Sequence, residues 1–130
     1  MRKIELEMVR AVNSALGNRD LAGRVWRSAN TFVEQKHNGP WGVPGYCREI
    51  VVTLHETPIA TFEPDIQRLT LRHGGWHSRT TASRLNALLS WFAPNWRVFS
   101  KRGRLHIRRD SWTEGASDPL IDGQPLTFHG

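Results

Sequence analysis

The largest gap in this sequence is one of sign. From Ile66 to Arg109 there is no Asp and no Glu, and the flanking acids are Asp65 and Asp110. Cysteine is nearly missing too. Cys47 is the only one, which excludes an intrachain disulfide framework or a cysteine-built zinc site and suits a reducing compartment. No apolar run reaches membrane-spanning length. The start, Met1-Arg2-Lys3-Ile4-Glu5, lacks the apolar core of a signal peptide. The expectation is a soluble protein of the cytoplasm with no membrane partner.

Enzyme signatures are also lacking. There is no Gly-x-x-x-x-Gly-Lys-Ser/Thr phosphate loop, no Gly-x-Ser-x-Gly elbow, and no His-x-Glu with Cys-x-x-Cys pattern of the zinc deaminases. A metal-dependent nuclease needs clustered carboxylates, and the acid-free stretch has none. His73 and His77 frame Gly-Gly-Trp, but a zinc site would need further ligands with converging geometry. Cys47 beside a strand reads as a small core residue rather than a nucleophile. No enzyme activity, metal or cofactor is expected.

What is present is arginine. The net charge is +6, and residues 113–130 hold Glu114, Asp118 and Asp122 with no Lys or Arg. The rest of the chain therefore carries all 18 basic residues against nine acids, and fifteen of the 18 are Arg. Arg forks onto phosphates and stacks on rings better than Lys does. A genome rich in G and C would also favour Arg codons. A hydrophobic content of 38% with six Trp argues for a folded chain, and 130 residues suit one domain.

Periodicity supplies the elements. Ile4, Met8, Val12 and Ala15/Leu16 recur at helical spacing over residues 3–16, with Glu5, Glu7 and Arg10 elsewhere on the wheel. Leu21 to Arg27 reads as either a helical turn or a strand, and Thr31 to Glu34 as a short strand. His37 to Tyr46 is an irregular Gly/Pro loop anchored by Trp41 and Tyr46. Three strands follow as a meander. The first starts at Arg48, with Ile50, Val52 and Leu54 on one face. The second is Ile59 to Phe62, and the third is Gln67 to His73, with Arg68 and Arg72 on a wet, basic edge.

After Gly74-Gly75 a helix is capped at Thr80 or Thr81 and buries Ala82, Leu85, Leu88, Leu89 and Phe92. Its start, with Ser78, Arg79, Thr80, Thr81 and Arg84, suits a phosphate. Equally, it suits plain capping with Trp76 packed beneath the helix. The last element is a hairpin, Trp96 to Lys101 against Arg104 to Arg109, turning at Arg102-Gly103. That loop length pairs Lys101 with Arg104, Phe99 with His106 and Arg97 with Arg108 on one face, leaving Val98, Leu105 and Ile107 for the core. Like charges set opposite each other are destabilising, so a face that accepts them points to an anion.

Several of these residues resemble a small domain recurrent in tailed-phage genomes. The match runs through Asn30-Thr31, Val52-Thr53-Leu54-His55, Ile59-Ala60, Leu69-Thr70-Leu71, Gly75-Trp76, Thr80-Thr81 and Arg84-Leu85-Asn86. It covers residues 30–100, and it departs at Glu56, where the pattern has Gly in a hairpin. The resemblance implies a phage origin and a fold, without site residues to transfer. The order helix, three strands, helix is also similar in outline to double-stranded-RNA-binding domains. However, Ser78-Arg79-Thr80-Thr81 stands where those have a Lys run, and the hairpin is extra.

The reading is a single α+β domain over residues 1–112: an N-terminal helix, an antiparallel sheet with a helix packed on it, and a basic C-terminal hairpin, followed by a flexible tail over 113–130. The expected partner is DNA or RNA, held with little sequence specificity. The contacts would come from Arg68, Arg72, Arg79, Arg84, Arg97, Phe99, Lys101, Arg102, Arg104, His106 and Arg108. The alternative partner is a host protein that a phage-encoded inhibitor would bind.

Overall fold

The structure is a computed structural model that describes residues 1–37 and 47–129. Trp41 and Tyr46, expected to anchor a loop, lie outside the described residues. Helix α1 (Lys3–Gly17) is followed by strands β1 (Gly23–Ser28), β2 (Thr31–His37), β3 (Arg48–Leu54), β4 (Thr57–Glu63) and β5 (Arg68–Leu71). Helix α2 (Arg79–Phe92) comes next, then β6 (Trp96–Lys101), β7 (Arg104–Arg109), β8 (Asp118–Pro119) and β9 (Gln124–Thr127). The strands form two antiparallel sheets, ordered β1-β2-β3-β4-β5-β9 and β6-β7-β8. The result is a single α+β domain with a larger sheet than the expected three-strand meander.

Alternation builds the core. Val52 lies opposite Ala60, Ile50 opposite Phe62, and Phe62 opposite Leu69, so one face of β3, β4 and β5 is continuously apolar. Both helices pack on it, and Met8, Val12, Leu85, Leu88, Leu89 and Phe92 are fully buried. Val51 and Thr53, on the alternate face of β3, are buried as well.

The tail corrects the expected boundary at residue 112. Residues 124–127 pair with β5, so β5 is an interior strand and not the wet edge. Beyond them Phe128 enters the core and meets Phe62 and Phe92 edge-on, at centroid distances of 5.1 and 6.3 Å. Burying a side chain of that size contributes about 3 kcal/mol, which is reason enough for the segment to be ordered. Its short length, two Pro and weak periodicity hid this.

Two charged side chains hold the helices to the sheet. Arg48 is buried and donates to Ala15 O and Leu16 O at 3.0 and 3.2 Å, capping the last carbonyls of α1, and to Gln35 Oε1 at 2.9 Å. Arg84 of α2 donates from Nη1 to Glu5 Oε2 of α1 at 2.9 Å, and both side chains are at least 95% buried. Glu5 also accepts from the Ser83 hydroxyl and from Arg2 N–H, so its carboxylate serves α1 and α2 at once. Burial pushes the Glu5 carboxyl up, but these donors outweigh it and hold it below its ordinary value. Arg84 Nε reaches Thr31 Oγ1, Thr31 donates to Asn30 Oδ1, and the Asn30 amide meets His55 Nε2. Arg84, Thr31, Asn30 and His55, which carry the phage resemblance, thus form one polar chain from α2 through the start of β2 to the β1–β2 and β3–β4 turns.

Glu56 shows what the departure from Gly means. His55 and Glu56 form the two-residue turn between β3 and β4, with φ of +50° and +65°. That is the left-handed geometry of a type I′ turn, where Gly carries no Cβ penalty.

Two outcomes follow. Arg84→Met leaves the Glu5 charge buried and unpaired and lowers unfolding stability by roughly 3–5 kcal/mol; adding Glu5→Leu restores much of that loss, as urea titration of the single and double variants would read. Glu56→Gly raises stability by about 0.5–1 kcal/mol, read as a higher denaturation midpoint at unchanged slope.

Candidate nucleic-acid interface

The β6–β7 hairpin has the expected register: Lys101 opposite Arg104, Phe99 opposite His106, Arg97 opposite Arg108. Arg102 and Gly103 turn it with φ of +53° and +78°, the twist-matched geometry for a two-residue loop. Val98, Leu105 and Ile107 are buried on its inner side. Asn86 of α2 fixes its edge by donating to Val98 O at 2.6 Å and accepting from Val98 N–H at 2.8 Å. Asn86 therefore does the work of a neighbouring strand. At the other end Arg109 lies over the Trp96 ring, which meets Trp112 edge-on.

The outer face is where charge collects. Arg97, Lys101, Arg102 and Arg104 are exposed, and among the described residues no carboxylate pairs with any of them. Phe99 and His106 are half-buried between them, with ring centroids 6.1 Å apart. His106 Nδ1 meets Ser117 Oγ at 3.0 Å. Arg108 differs from its neighbours. Its guanidinium donates to Thr113 O, Ala116 O and Trp112 O. Its charge still adds to the field, but its fork is taken up in holding residues 112–116.

The remaining expected contacts divide. Arg84 is buried against Glu5 and has no access to a ligand, which corrects its place in the site. Its partner lies 79 residues away in sequence, beyond any local pattern. Arg68 opens β5 and Arg72 follows its last residue, and both are exposed. The two lie roughly 13 Å apart along the strand direction. Arg79 is exposed at the first position of α2.

The α2 cap is Ser78, whose Oγ accepts from Thr81 N–H at 3.1 Å, and not Thr80 or Thr81. Trp76 does not pack beneath the helix; it is 62% exposed. Cys47 is exposed rather than a core residue.

Sequence reasoning missed the link between the α2 approach and the hairpin. His77 Nδ1 accepts from Leu105 N–H at 3.0 Å. The His73 ring lies 4.3 Å from that of His77, and its Nδ1 accepts from Gly75 N–H. Asp122 Oδ1 accepts from His73 and Gly74 N–H at 3.0 and 3.1 Å. The Gly74 hydrogen bond, with smaller help from His73 and Arg72, holds the Asp122 carboxyl below its usual range. Gly74 sits at φ +59°, and a Cβ there would collide with Thr57 Cγ2. Burial, together with the charges of His73 and Arg104, lowers the His77 pKa.

A cavity of 390 Å³ lies elsewhere, at the β1–β2 and β3–β4 turns, lined by residues that include Arg27, Asn30, Phe32 and His55. Among the described residues no three His, Cys, Asp or Glu converge on a metal position, and no helix is long and apolar enough to cross a membrane.

Fold and surface together define a small α+β domain with an uncompensated basic hairpin face among the described residues. The model of the Kyanoviridae Gp96 protein family, a tailed-phage family, matches residues 1–126, and the chain belongs to that family. The match is wider than the resemblance over residues 30–100 and takes in α1 and most of β9. No curated protein and no solved structure matches the chain.

The His77 contact is pH-dependent by construction. Its acceptor nitrogen must stay unprotonated, so the folded chain disfavours the charged imidazole that the unfolded chain accepts. The contact is fully present above the ordinary imidazole pKa of about 6.5. It is lost as pH falls through the lowered folded value. Melting temperature measured from neutral to mildly acidic pH is expected to drop for the wild type. His77→Asn keeps an acceptor without a titrating group and is expected to flatten that drop.

Proposed function

We propose that this phage protein binds nucleic acid through the outer face of the β6–β7 hairpin, by phosphate contacts with little base specificity. The observation that supports this is the set Arg97, Lys101, Arg102 and Arg104: exposed, unpaired by any carboxylate among the described residues, and displayed on a backed, clamped hairpin. Cross-strand like-charge pairs oppose folding. An anionic polymer relieves that repulsion and releases its own counterions on binding. Arg102 at the turn and Arg108 beside Arg97 extend the field along the hairpin. The role is binding rather than catalysis, and its setting is the host cytoplasm.

A second reading has the same protein dock on a host protein. Trp91, 51% exposed on α2, favours it, because Trp and Arg dominate protein hot spots.

Changing Arg97, Lys101 and Arg104 together to Ser is expected to weaken binding to labelled DNA and RNA at least tenfold near ~0.1 M salt and to lower the slope of log K against log salt by about 3. Fluorescence anisotropy over a salt series measures both. Unchanged affinity and slope would remove the hairpin from the interface. A stoichiometric host protein recovered from nuclease-treated lysate, with no salt-steep nucleic-acid binding, would select the second reading.

A further inference from the structure

Trp76 is the feature that phosphate binding leaves unused. It lies on the loop between β5 and α2 with 62% of its surface exposed. Leaving an indole in water forgoes the burial that drives folding. The loop is not loose around it. Asp122 holds His73 and Gly74 N–H, His73 holds Gly75 N–H, Trp76 N–H reaches His73 O at 2.8 Å, and Ser78 caps the helix two residues on. Trp76 lines a narrow crevice together with Leu54, His55 and Thr57, and most of its surface still stays in water. The ring is therefore presented outward on a fixed backbone, and little ordering remains to be done on binding.

Its surroundings say what covers it. His77, the next residue, is bonded to Leu105 of β7, so Trp76 is tethered beside the hairpin. The Arg104 charge is felt at His77, and Arg72 and Arg79 are exposed on the same loop's flanks. A flat apolar ring on a loop flanked by Arg72 and Arg79, where the Asp122 carboxylate is engaged by the His73 and Gly74 N–H groups, is complementary to a flat base on a phosphate chain. Bases in a duplex are already stacked on both faces and out of reach of such a ring. We propose that Trp76 is a stacking platform for an unpaired base, so that the nucleic acid held by the hairpin is single-stranded. This rests on the nucleic-acid reading of the hairpin and adds strandedness to it.

The test uses the full chain and anisotropy with labelled oligothymidylate, oligouridylate, a DNA duplex and an abasic strand of equal length. The wild type is expected to prefer the two base-bearing single strands over the duplex. Trp76→Ala is expected to weaken single-strand binding roughly 5- to 150-fold, with duplex binding and the salt slope unchanged, and Trp76→Phe to recover most of the loss. Wild-type protein should bind the abasic strand as poorly as Trp76→Ala binds oligothymidylate, a comparison that needs no variant to fold. Equal wild-type affinity for abasic and base-bearing strands overturns the stacking site. So does a loss in Trp76→Ala that is equal for single strand and duplex. In either case a continued loss in the Arg97/Lys101/Arg104→Ser variant leaves the hairpin reading standing. No binding to any probe by the wild type overturns both.

Discussion

The buried pair between Glu5 and Arg84 is the constraint on which the rest of the structure depends. One carboxylate caps the start of α1, takes a hydroxyl and a guanidinium from α2, and through Arg84 reaches Thr31 at the start of β2. Taking two charges out of water is costly unless every lone pair and proton finds a partner. Here the partners come from three elements, so the charges are satisfied only when both helices sit correctly on the sheet. Two residues after Arg84, Asn86 then fixes the edge of β6. The hairpin is thus positioned by the same turn of α2 that the ion pair positions.

That arrangement explains how a surface with so much uncompensated charge is tolerated. The inner face of the hairpin contributes Val98, Leu105 and Ile107 to the core, each about 1% exposed. The outer face is free to carry Arg97, Lys101 and Arg104, because its backbone is held by the core, by Asn86 and by β8. Arg108 spends its fork on the carbonyls of residues 112–116 and ties the following loop to the same face. Repulsion on the outside is offset by packing on the inside, and the cations remain available to a partner. A like logic applies to Trp76, where Asp122, from a segment far along the chain, rigidifies a loop whose ring points outward.

Local rules determined much from the sequence by itself. The two helices follow from the spacing of Met8 and Val12 and of Leu85, Leu88 and Leu89. The β6–β7 register follows from a two-residue loop at Arg102-Gly103 and from the period of two along each strand, and it places the basic face correctly. The phage resemblance follows from short patterns whose residues turn out to be structural partners of one another. All of these depend on neighbours within a turn or a hairpin, where chain geometry leaves few alternatives. What only the tertiary structure decided depends on contacts distant in sequence. Glu5 reads as a solvent-facing residue on its own helix and Arg84 as a surface cation, until the fold brings them together across a sequence separation of 79. The tail reads as flexible because β8 and β9 are too short to show periodicity, and their pairing exists only once β5 and β7 offer edges. Trp76 reads as a packing residue because Gly74-Gly75 leaves its direction open, and the direction is set by a carboxylate 48 residues later. Local periodicity names which residues are apolar or charged; the free energy of burying or pairing them belongs to the assembled core.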